Sequence, residues 1–321
     1  MFNDLRADDV YRAAERISAH ALRTPMLKSE RLSRIAGGDV YLKLENRQIT
    51  GSFKLRGALN ALDTLPADER RRGVVASSAG NHGLGVAHAA KTLGIAATIF
   101  VPSNAPEIKK SGIRKAGATL DNSQPDYDSA MVAAKAFGRE HGLTFINPCL
   151  GDMLLAGQGT VALEILQLLP DFRTLVVCVG GGGLLGGCAS LLRREAPQVR
   201  IVGAQSDQTA AMARSVAARR VVEIPVTPTL ADGLAGQIDD EALDIGLHAL
   251  DDIVLLTEAE IEKAIAWLHT AHDLKVEGAG AVATGAVLFD KSYLEFPAVA
   301  IVSGGNIDDA RWRAVLERAA P

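Results

Sequence analysis

The sequence predicts an α/β fold. From about residue 73 onward, short runs rich in β-branched residues alternate with longer segments of helical periodicity, which is typical of βαβ units around a parallel sheet. Each glycine-rich turn in this part of the chain also falls directly after a predicted strand and before a predicted helix. Because ligands bind at the carboxyl ends of strands in open α/β sheets, we expect the chemistry at these turns.

The individual elements follow from the same periodicities. We predict strands at 73–76, 97–101, 144–146, 175–179, 200–203, 253–256 and 298–302. We predict helices at 83–92, 127–141, 159–168, 184–194, 258–272 and 278–289.

The composition is typical of a folded, soluble enzyme, and the N-terminal residues predict that it stays in the cytoplasm. Of 321 residues, 48% are apolar and 22% charged, and 34 Lys and Arg against 38 Asp and Glu leave a formal net charge of −4. Such a chain offers no basic surface for nucleic acid or an anionic membrane. The N-terminus carries acidic residues and has no apolar stretch of the kind found in signal peptides.

The cysteines and histidines give no sign of a metal site. Cys149, Cys178 and Cys188 are odd in number and lack CxxC spacing, so we interpret all three as packing residues in a reducing compartment. The seven histidines show no ligand spacing such as HExxH. We therefore predict no bound metal.

Four consecutive glycines at 180–183 follow the predicted strand that ends at residue 179. Such a run is typical of a backbone that must approach a ligand closely, and a phosphate is the expected occupant. A tight turn that needs positive φ is the simpler alternative. Gly181, Gly183 and Gly186 also match the dinucleotide pattern GxGxxG, but the next strand leads to Gln205 instead of the expected acidic residue.

A second small-residue turn occupies residues 77–83, again between a strand and a helix. Its N–H groups and the Ser78 hydroxyl suit a carboxylate, and Asn81 adds an amide donor. An ordinary helix cap formed by Ser78 or Asn81 is the alternative interpretation.

Two further residues gain meaning from this context. Lys54 stands between Phe53 and Leu55, where partial removal from water favours a neutral amine that can act as nucleophile or base, although most lysines are solvated surface charges. Ser303 places a hydroxyl at the end of the last strand, where it could equally cap the final helix. An amine, a phosphate cradle, an amide and a strand-end hydroxyl together are what pyridoxal 5'-phosphate requires.

With these motifs the sequence resembles the fold-type II pyridoxal-phosphate enzymes, and within them the threonine/serine dehydratase and serine racemase family. The segments that carry the resemblance are YLKLENRQITGSFKLRGA at 41–58, SSAGNHGLGVAHAA at 77–90, AGQGTVALEI at 156–165, VGGGGLLGG at 179–187, TLADGLAG at 229–236 and VSGGN at 302–306.

The resemblance implies a tryptophan synthase β-like architecture of two three-layer α/β/α domains. Residues 1–67 with 148–321 would form the large cofactor-binding domain, and 68–147 a small mobile domain that closes over substrate. It also implies the site residues: Lys54 as the catalytic amine bonded to the cofactor; Phe53, Asn81, Gly180, Gly181, Gly182, Gly183, Leu184 and Ser303 around the cofactor; and Ser78, Ala79, Gly80 and His82 around the substrate carboxylate.

The sequence departs from the family pattern at several positions. Ala79 stands where serine racemases have a second serine, which disfavours racemisation. Gln205 and Ala211 replace the carboxylates that hold a cation in racemase-like members, so no cation is expected there. Residues 147–149 read Asn-Pro-Cys where many relatives have His-Pro. Because the chain ends at Pro321, we expect no C-terminal regulatory domain.

The implied activity is that of an ammonia-lyase. It would convert a β-hydroxy-α-amino acid, L-threonine or L-serine first, to a 2-oxo acid and ammonia by α,β-elimination, in a homodimer or homotetramer. Relatives that act on 3-hydroxyaspartate, phenylserine or a substrate of hydroxyectoine breakdown remain alternatives, as does serine racemase. A nicotinamide-dependent oxidoreductase is a different class and rests on GxGxxG alone.

Overall fold

The computed structural model describes residues 5–105, 107–225 and 227–319, which form two β-sheets covered by helices. The strands are β1 Met26–Lys28, β2 Val40–Leu44, β3 Val74–Ser77, β4 Ala97–Pro102, β5 Thr119–Gln124, β6 Thr144–Phe145, β7 Thr174–Cys178, β8 Arg200–Ser206, β9 Asp252–Leu256 and β10 Ala298–Val302.

The helices cover both sheets, and no helix of the described part is long and apolar enough to cross a membrane. They are α1 Ala7–Ile17, α2 Glu30–Ala36, α3 Lys54–Asp63, α4 Ala67–Arg72, α5 Asn81–Leu93, α6 Glu107–Lys115, α7 Tyr127–His141, α8 Asp152–Leu168, α9 Gly183–Glu195, α10 Ala211–Ala218, α11 Asp240–Ala249, α12 Glu258–His272, α13 Gly278–Phe289 and α14 Asp309–Arg318.

The larger sheet has the strand order β1-β2-β10-β7-β8-β9. Only β1 runs antiparallel to its neighbour, and the other pairs are parallel. Every residue of β7 and β10 is buried, as expected for central strands with helices on both faces. The parallel strands therefore bring the segments after β2, β10, β7 and β8 to one edge.

The smaller sheet has the order β5-β4-β3-β6 and is parallel throughout. Helix α3 packs its apolar side chains into the core around this sheet, together with residues of β3 and β4. Since α3 precedes residue 67, the segment that carries Lys54 contacts the smaller sheet's core as well as the larger body. The domain boundaries after residues 67 and 147 remain a prediction.

Most of the predicted elements are found in the structure. Helices α7, α12 and α13 have the predicted bounds, and α5, α8 and α9 start one or more residues earlier than predicted. Strands β1, β2 and β5 and several short helices were not anticipated. Strand β5 has the sequence TLDNSQ, and its polar residues give no alternating apolar pattern from which a strand could be predicted.

Candidate active site

The turns singled out in the sequence meet where the carboxyl ends of the two sheets come together. The backbone N–H of Phe53 donates to Ser303 O at 3.1 Å, and Ser52 forms an isolated bridge with Gly304. These contacts attach the segment before α3 to the end of β10. They place Lys54, the first residue of α3, beside the strand end that carries Ser303.

The Lys54 amine faces the glycine bend across a loop that contains Cys149. Lys54 Nζ donates to Pro148 O at 2.7 Å and lies 3.9 Å from Cys149 Sγ. A Cβ on Gly181 would lie 2.8 Å from that sulfur, and a Cβ on Gly183 would lie 3.0 Å from Cys149 O. Cys149 is thus a half-buried neighbour of the amine as well as a residue that packs against the glycine bend.

The glycine bend leads directly into α9. Gly182 is the N-cap with φ of +85°, a conformation that favours glycine, and Gly183 and Leu184 form the first turn of the helix. A Cβ on Gly180 would lie 3.1 Å from Leu234 Cα, so the 229–236 loop covers the bend closely. The N–H groups at a helix start suit an anion.

The Asn81 amide connects the two sheets. Asn81 Nδ2 donates to Glu277 Oε1 at 2.6 Å, and Asn81 Oδ1 accepts from Asn306 Nδ2 at 2.7 Å. Asn306 also donates to Thr50 O at 2.7 Å. Sequence reasoning assigned no role to Glu277 or Asn306, although Asn306 lies in the VSGGN motif that carried the resemblance.

Glu277 is a buried carboxyl that forms no salt bridge with any of the described residues. It is the N-cap residue of α13, is 8% exposed and accepts from the Asn81 amide. Burial raises the pKa of Glu277 to about 7, although the Asn81 hydrogen bond acts in the opposite direction. The group can therefore exchange a proton near neutral pH.

The predicted carboxylate turn precedes α5. Ser78 N–H donates to Phe100 O, and Ser78 Oγ accepts from Gly80 N at 3.1 Å, so two groups of the turn have partners within the protein. Gly80 is the N-cap of α5, whereas Ala79 is half-buried in the same turn. The assignment of this turn to the substrate carboxylate remains a prediction.

His82 has a fixed tautomer. His82 Nε2 lies 3.0 Å from Ile146 O, and since a carbonyl only accepts, Nε2 carries the proton. Burial and the nearby Lys54 lower the pKa of His82 to about 3, which keeps the ring neutral. Its Nδ1 is buried without a partner in the structure.

Ser303 is almost completely buried at the end of β10. Its Oγ lies 3.2 Å from Ala279 O, and it also hydrogen-bonds the Cys178 thiol. Burial raises the pKa of Cys178 to about 11, so this thiol next to Ser303 stays neutral.

The turn where a cation was not expected is closed by an amide. Gln205 Oε1 accepts from Ala213 N at 3.0 Å, and Nε2 donates to Thr209 O at 3.4 Å. Within the described ranges, no group of three or more His, Cys, Asp or Glu side chains is placed to hold a metal.

These features fit pyridoxal 5'-phosphate. Cβ atoms on the glycine bend would occupy the space against Cys149 and Leu234, which explains why the bend is made of glycine. The buried hydroxyls of Ser52 and Ser77 and the His82 Nδ1 have no hydrogen-bond partner among the described residues, so polar groups in this region can still bind a ligand.

Comparisons with known proteins identify the family of this chain. A family model for pyridoxal-phosphate dependent enzymes matches residues 17–304. The L-threonine dehydratase catabolic TdcB of Staphylococcus aureus (strain USA300) is 40% identical over 315 residues, covering 96% of this chain and 91% of the relative.

Solved structures give the same result. Maize serine racemase superposes with a TM-score of 0.91 at 32% identity, over 98% of this chain and 97% of that one. The processed form of threonine deaminase isoform 2 from Solanum lycopersicum gives a TM-score of 0.90 at 31% identity, over 97% of this chain and 88% of that one. The predicted fold type II and its cofactor are thereby confirmed, and the chain belongs to the pyridoxal-phosphate dependent enzymes.

Proposed function

We propose that the protein is an ammonia-lyase that converts L-threonine or L-serine to a 2-oxo acid and ammonia by α,β-elimination. The observation that carries the proposal is the position of the Lys54 amine, which faces the glycine bend across Cys149. The 40% identity to a relative named L-threonine dehydratase over nearly the whole chain supports the substrate class.

Bound pyridoxal phosphate supplies an electron sink that makes the Cα proton of an amino acid acidic. Lys54 would hold the cofactor, and as a free amine it would remove that proton as general base. Gly180, Gly181, Gly182 and Gly183 with Leu184 would bind the phosphate. Asn81 and Phe53 would contact the ring.

The Ser303 hydroxyl favours elimination over competing reactions. With the cofactor bound, the neutral Ser303 hydroxyl would promote protonation of the pyridine nitrogen less than a carboxylate would, which would weaken the electron sink and favour prompt elimination. The burial of Ser303 and the contact of its hydroxyl with Ala279 O support this role. Ser303→Asp should raise the share of side products relative to 2-oxo acid.

Serine racemase is the second candidate, because maize serine racemase is a close structural neighbour. Racemisation needs a proton donor on the opposite face of Cα, and Ala79 supplies no hydroxyl where racemases have a serine. Ser78 Oγ, next to it, accepts from Gly80 N. Elimination is therefore the better match to these side chains.

The decisive experiment combines trapping with a substrate panel. The purified protein with cofactor should be yellow, and borohydride reduction followed by peptide mapping should place the label on Lys54. Ammonia release should be fastest with Thr or Ser among Thr, Ser, 3-hydroxyaspartate and phenylserine. A label on another lysine, or D-serine formed from L-serine faster than ammonia, would refute the proposal.

We also propose a location, assembly and motion. The enzyme would act in the cytoplasm and as a homo-oligomer. Residues 68–147 would close over the substrate against 1–67 and 148–321. Contacts between the two regions, such as Asn81 with Glu277 and Lys109 with Asp232, support this arrangement.

A further inference from the structure

A cluster of four buried charged side chains with no net charge lies next to the start of α3. It consists of Lys43 in β2, Glu45 directly after β2, Arg56 in the first turn of α3, and Glu164 in α8. The side chains of Lys43 and Glu45 are 0% exposed, that of Arg56 is 1% and that of Glu164 is 14%. Two positive groups thus balance two negative ones.

Arg56 has the most bonds in this cluster. Its Nε and Nη2 donate to Glu45 Oε2 at 2.8 Å and Oε1 at 2.9 Å, which is a two-pronged fork. Its Nη1 and Nη2 donate to Glu164 at 2.7 and 3.0 Å, and further bonds reach Thr160 Oγ1 and Leu22 O. The fork joins the first turn of α3 to the carboxyl end of β2.

Stability alone is a poor explanation for this cluster. Buried ion pairs return about as much free energy as their desolvation costs, and apolar replacements are often neutral or stabilising. What the fork supplies is a fixed distance and orientation, because a planar guanidinium on a carboxylate has a defined geometry.

The fork acts on the helix that carries the amine. Lys54 lies between Phe53, whose N–H is bonded to Ser303 O, and Arg56, two residues further on. On the α8 side the backbones nearly touch, since a Cβ on Gly157 would lie 2.5 Å from Arg56 O. The Lys54 backbone is thus constrained on both sides, at the end of β10 and at the end of β2.

We propose that Arg56, through its fork to Glu45, is a positioning residue that sets where the Lys54 amine stands relative to the glycine bend. The inference rests on the proposed role of Lys54. It follows that loss of the fork should impair the reactions of this amine even in a protein of normal stability, because small misplacements of a reacting group are costly.

Two charge-balanced double variants separate positioning from stability. Arg56→Met with Glu45→Leu removes the fork and leaves the Lys43–Glu164 pair intact. Lys43→Leu with Glu164→Leu removes that pair and the two hydrogen bonds from Arg56 to Glu164, and it leaves the fork between Arg56 and Glu45 intact. Each variant loses one positive and one negative buried group, so neither leaves an unpaired charge.

The readouts are the rate at which the cofactor-free full chain turns yellow after pyridoxal phosphate is added, the kcat and KM of the loaded enzyme, and the thermal midpoint. We expect the fork variant to capture the cofactor on Lys54 about tenfold more slowly or worse, and to lose about tenfold in kcat with KM changed by less than about threefold. The control should stay within about threefold of the parent in every rate.

The proposal would be overturned if the fork variant captured the cofactor and turned over at the rates of the parent. Equal losses of these rates in both double variants would also overturn it. If the fork variant does not fold, Arg56→Lys decides, because lysine keeps the charge but cannot form the fork. If Arg56→Lys captures the cofactor more slowly than the parent does, the positioning role is supported. If it captures the cofactor at the rate of the parent, that role is refuted. A parent chain that captures no cofactor on Lys54 would instead refute the proposed function.

Discussion

The candidate site has two sides that are built differently. The amine side lies around Lys54 and the glycine bend, and the amide side lies around Asn81. Around Lys54 and Gly181 the contacts are close approaches of backbone and short side chains, with uncharged neighbours. Around Asn81, side-chain hydrogen bonds to Glu277 and Asn306 join the two sheets. The first side should therefore be sensitive to added volume, and the second to the charge on one carboxyl.

The largest effect is expected at the amine. Lys54→Ala should lower kcat by about 10⁴-fold or more, because the variant would lose both the proposed cofactor attachment and the proposed general base. The yellow absorbance of the lysine-bound cofactor should disappear as well. Lys135→Ala is the matched control, since Lys135 also lies over an aromatic ring, 5.6 Å from the Phe145 centroid against 5.2 Å for Lys54 and Phe53. Loss of colour in the control would contradict the assignment.

The glycine bend should tolerate no added methyl group. Gly181→Ala would place a Cβ 2.8 Å from Cys149 Sγ, so the loop beside the amine must shift. We expect cofactor affinity to fall about 10- to 100-fold, measured by equilibrium dialysis, which corresponds to about 1.4–2.8 kcal/mol.

Gly112→Ala provides the comparison for this substitution. Gly112 lies in helix α6, and the nearest described atom to an added Cβ would be Leu84 Cδ1 at 3.9 Å. Cofactor affinity should be unchanged there. An equal loss in both variants would show that the effect is not local to the bend.

The amide side should respond to pH. Burial raises the pKa of Glu277 from 4.5 to about 7, so the native state holds this proton more tightly than the unfolded chain does. The free energy of unfolding should therefore fall as pH rises from about 4.5 to 7, by about 3 kcal/mol from this group, and change no further above that window.

Glu277→Gln removes the titration and keeps the size of the side chain. Relative to the parent, the variant should be more stable at pH 8 than at pH 5, measured by urea unfolding at both values. A parallel pH dependence in the two proteins would show that Glu277 does not titrate in this range.

The smallest effect is expected at the surface contact between residues 68–147 and the rest of the chain. Lys109 Nζ lies 3.4 Å from Asp232 Oδ2, with both side chains partly exposed. Lys109→Met should lower the free energy of unfolding by less than about 1 kcal/mol, and less still in high salt. Lys109→Arg should match the parent. A loss above about 2 kcal/mol would mean that this contact is not an ordinary surface pair.

Local signals explain why some elements could be predicted. Helix α12 begins at a capping box formed by Thr257 and Glu260, and α7 begins with Asp126 accepting from Ser129 N. Such signals lie within a few residues of the helix they start. Both helices have the bounds that their periodicity predicts, and these caps stabilise their first turns.

Strand β2 shows why other elements were missed. It carries Lys43, whose charge argues against a buried strand, yet the side chain is fully buried because Glu164 pairs with it. The partner lies 121 residues away in the sequence. A compensating charge at that separation has no local signature.

The sequence by itself determined the α/β class, the order of the turns and the kind of cofactor, because glycine, lysine and cap residues act through their immediate neighbours. Only the tertiary structure decided three placements. Cys149 lies beside the amine, Glu277 accepts a hydrogen bond from the Asn81 amide, and Arg56 forms a salt bridge with Glu45 at the end of β2. These placements depend on which strands are adjacent and what is buried between them. That is a property of packing over the whole chain, and no periodicity within one segment encodes it.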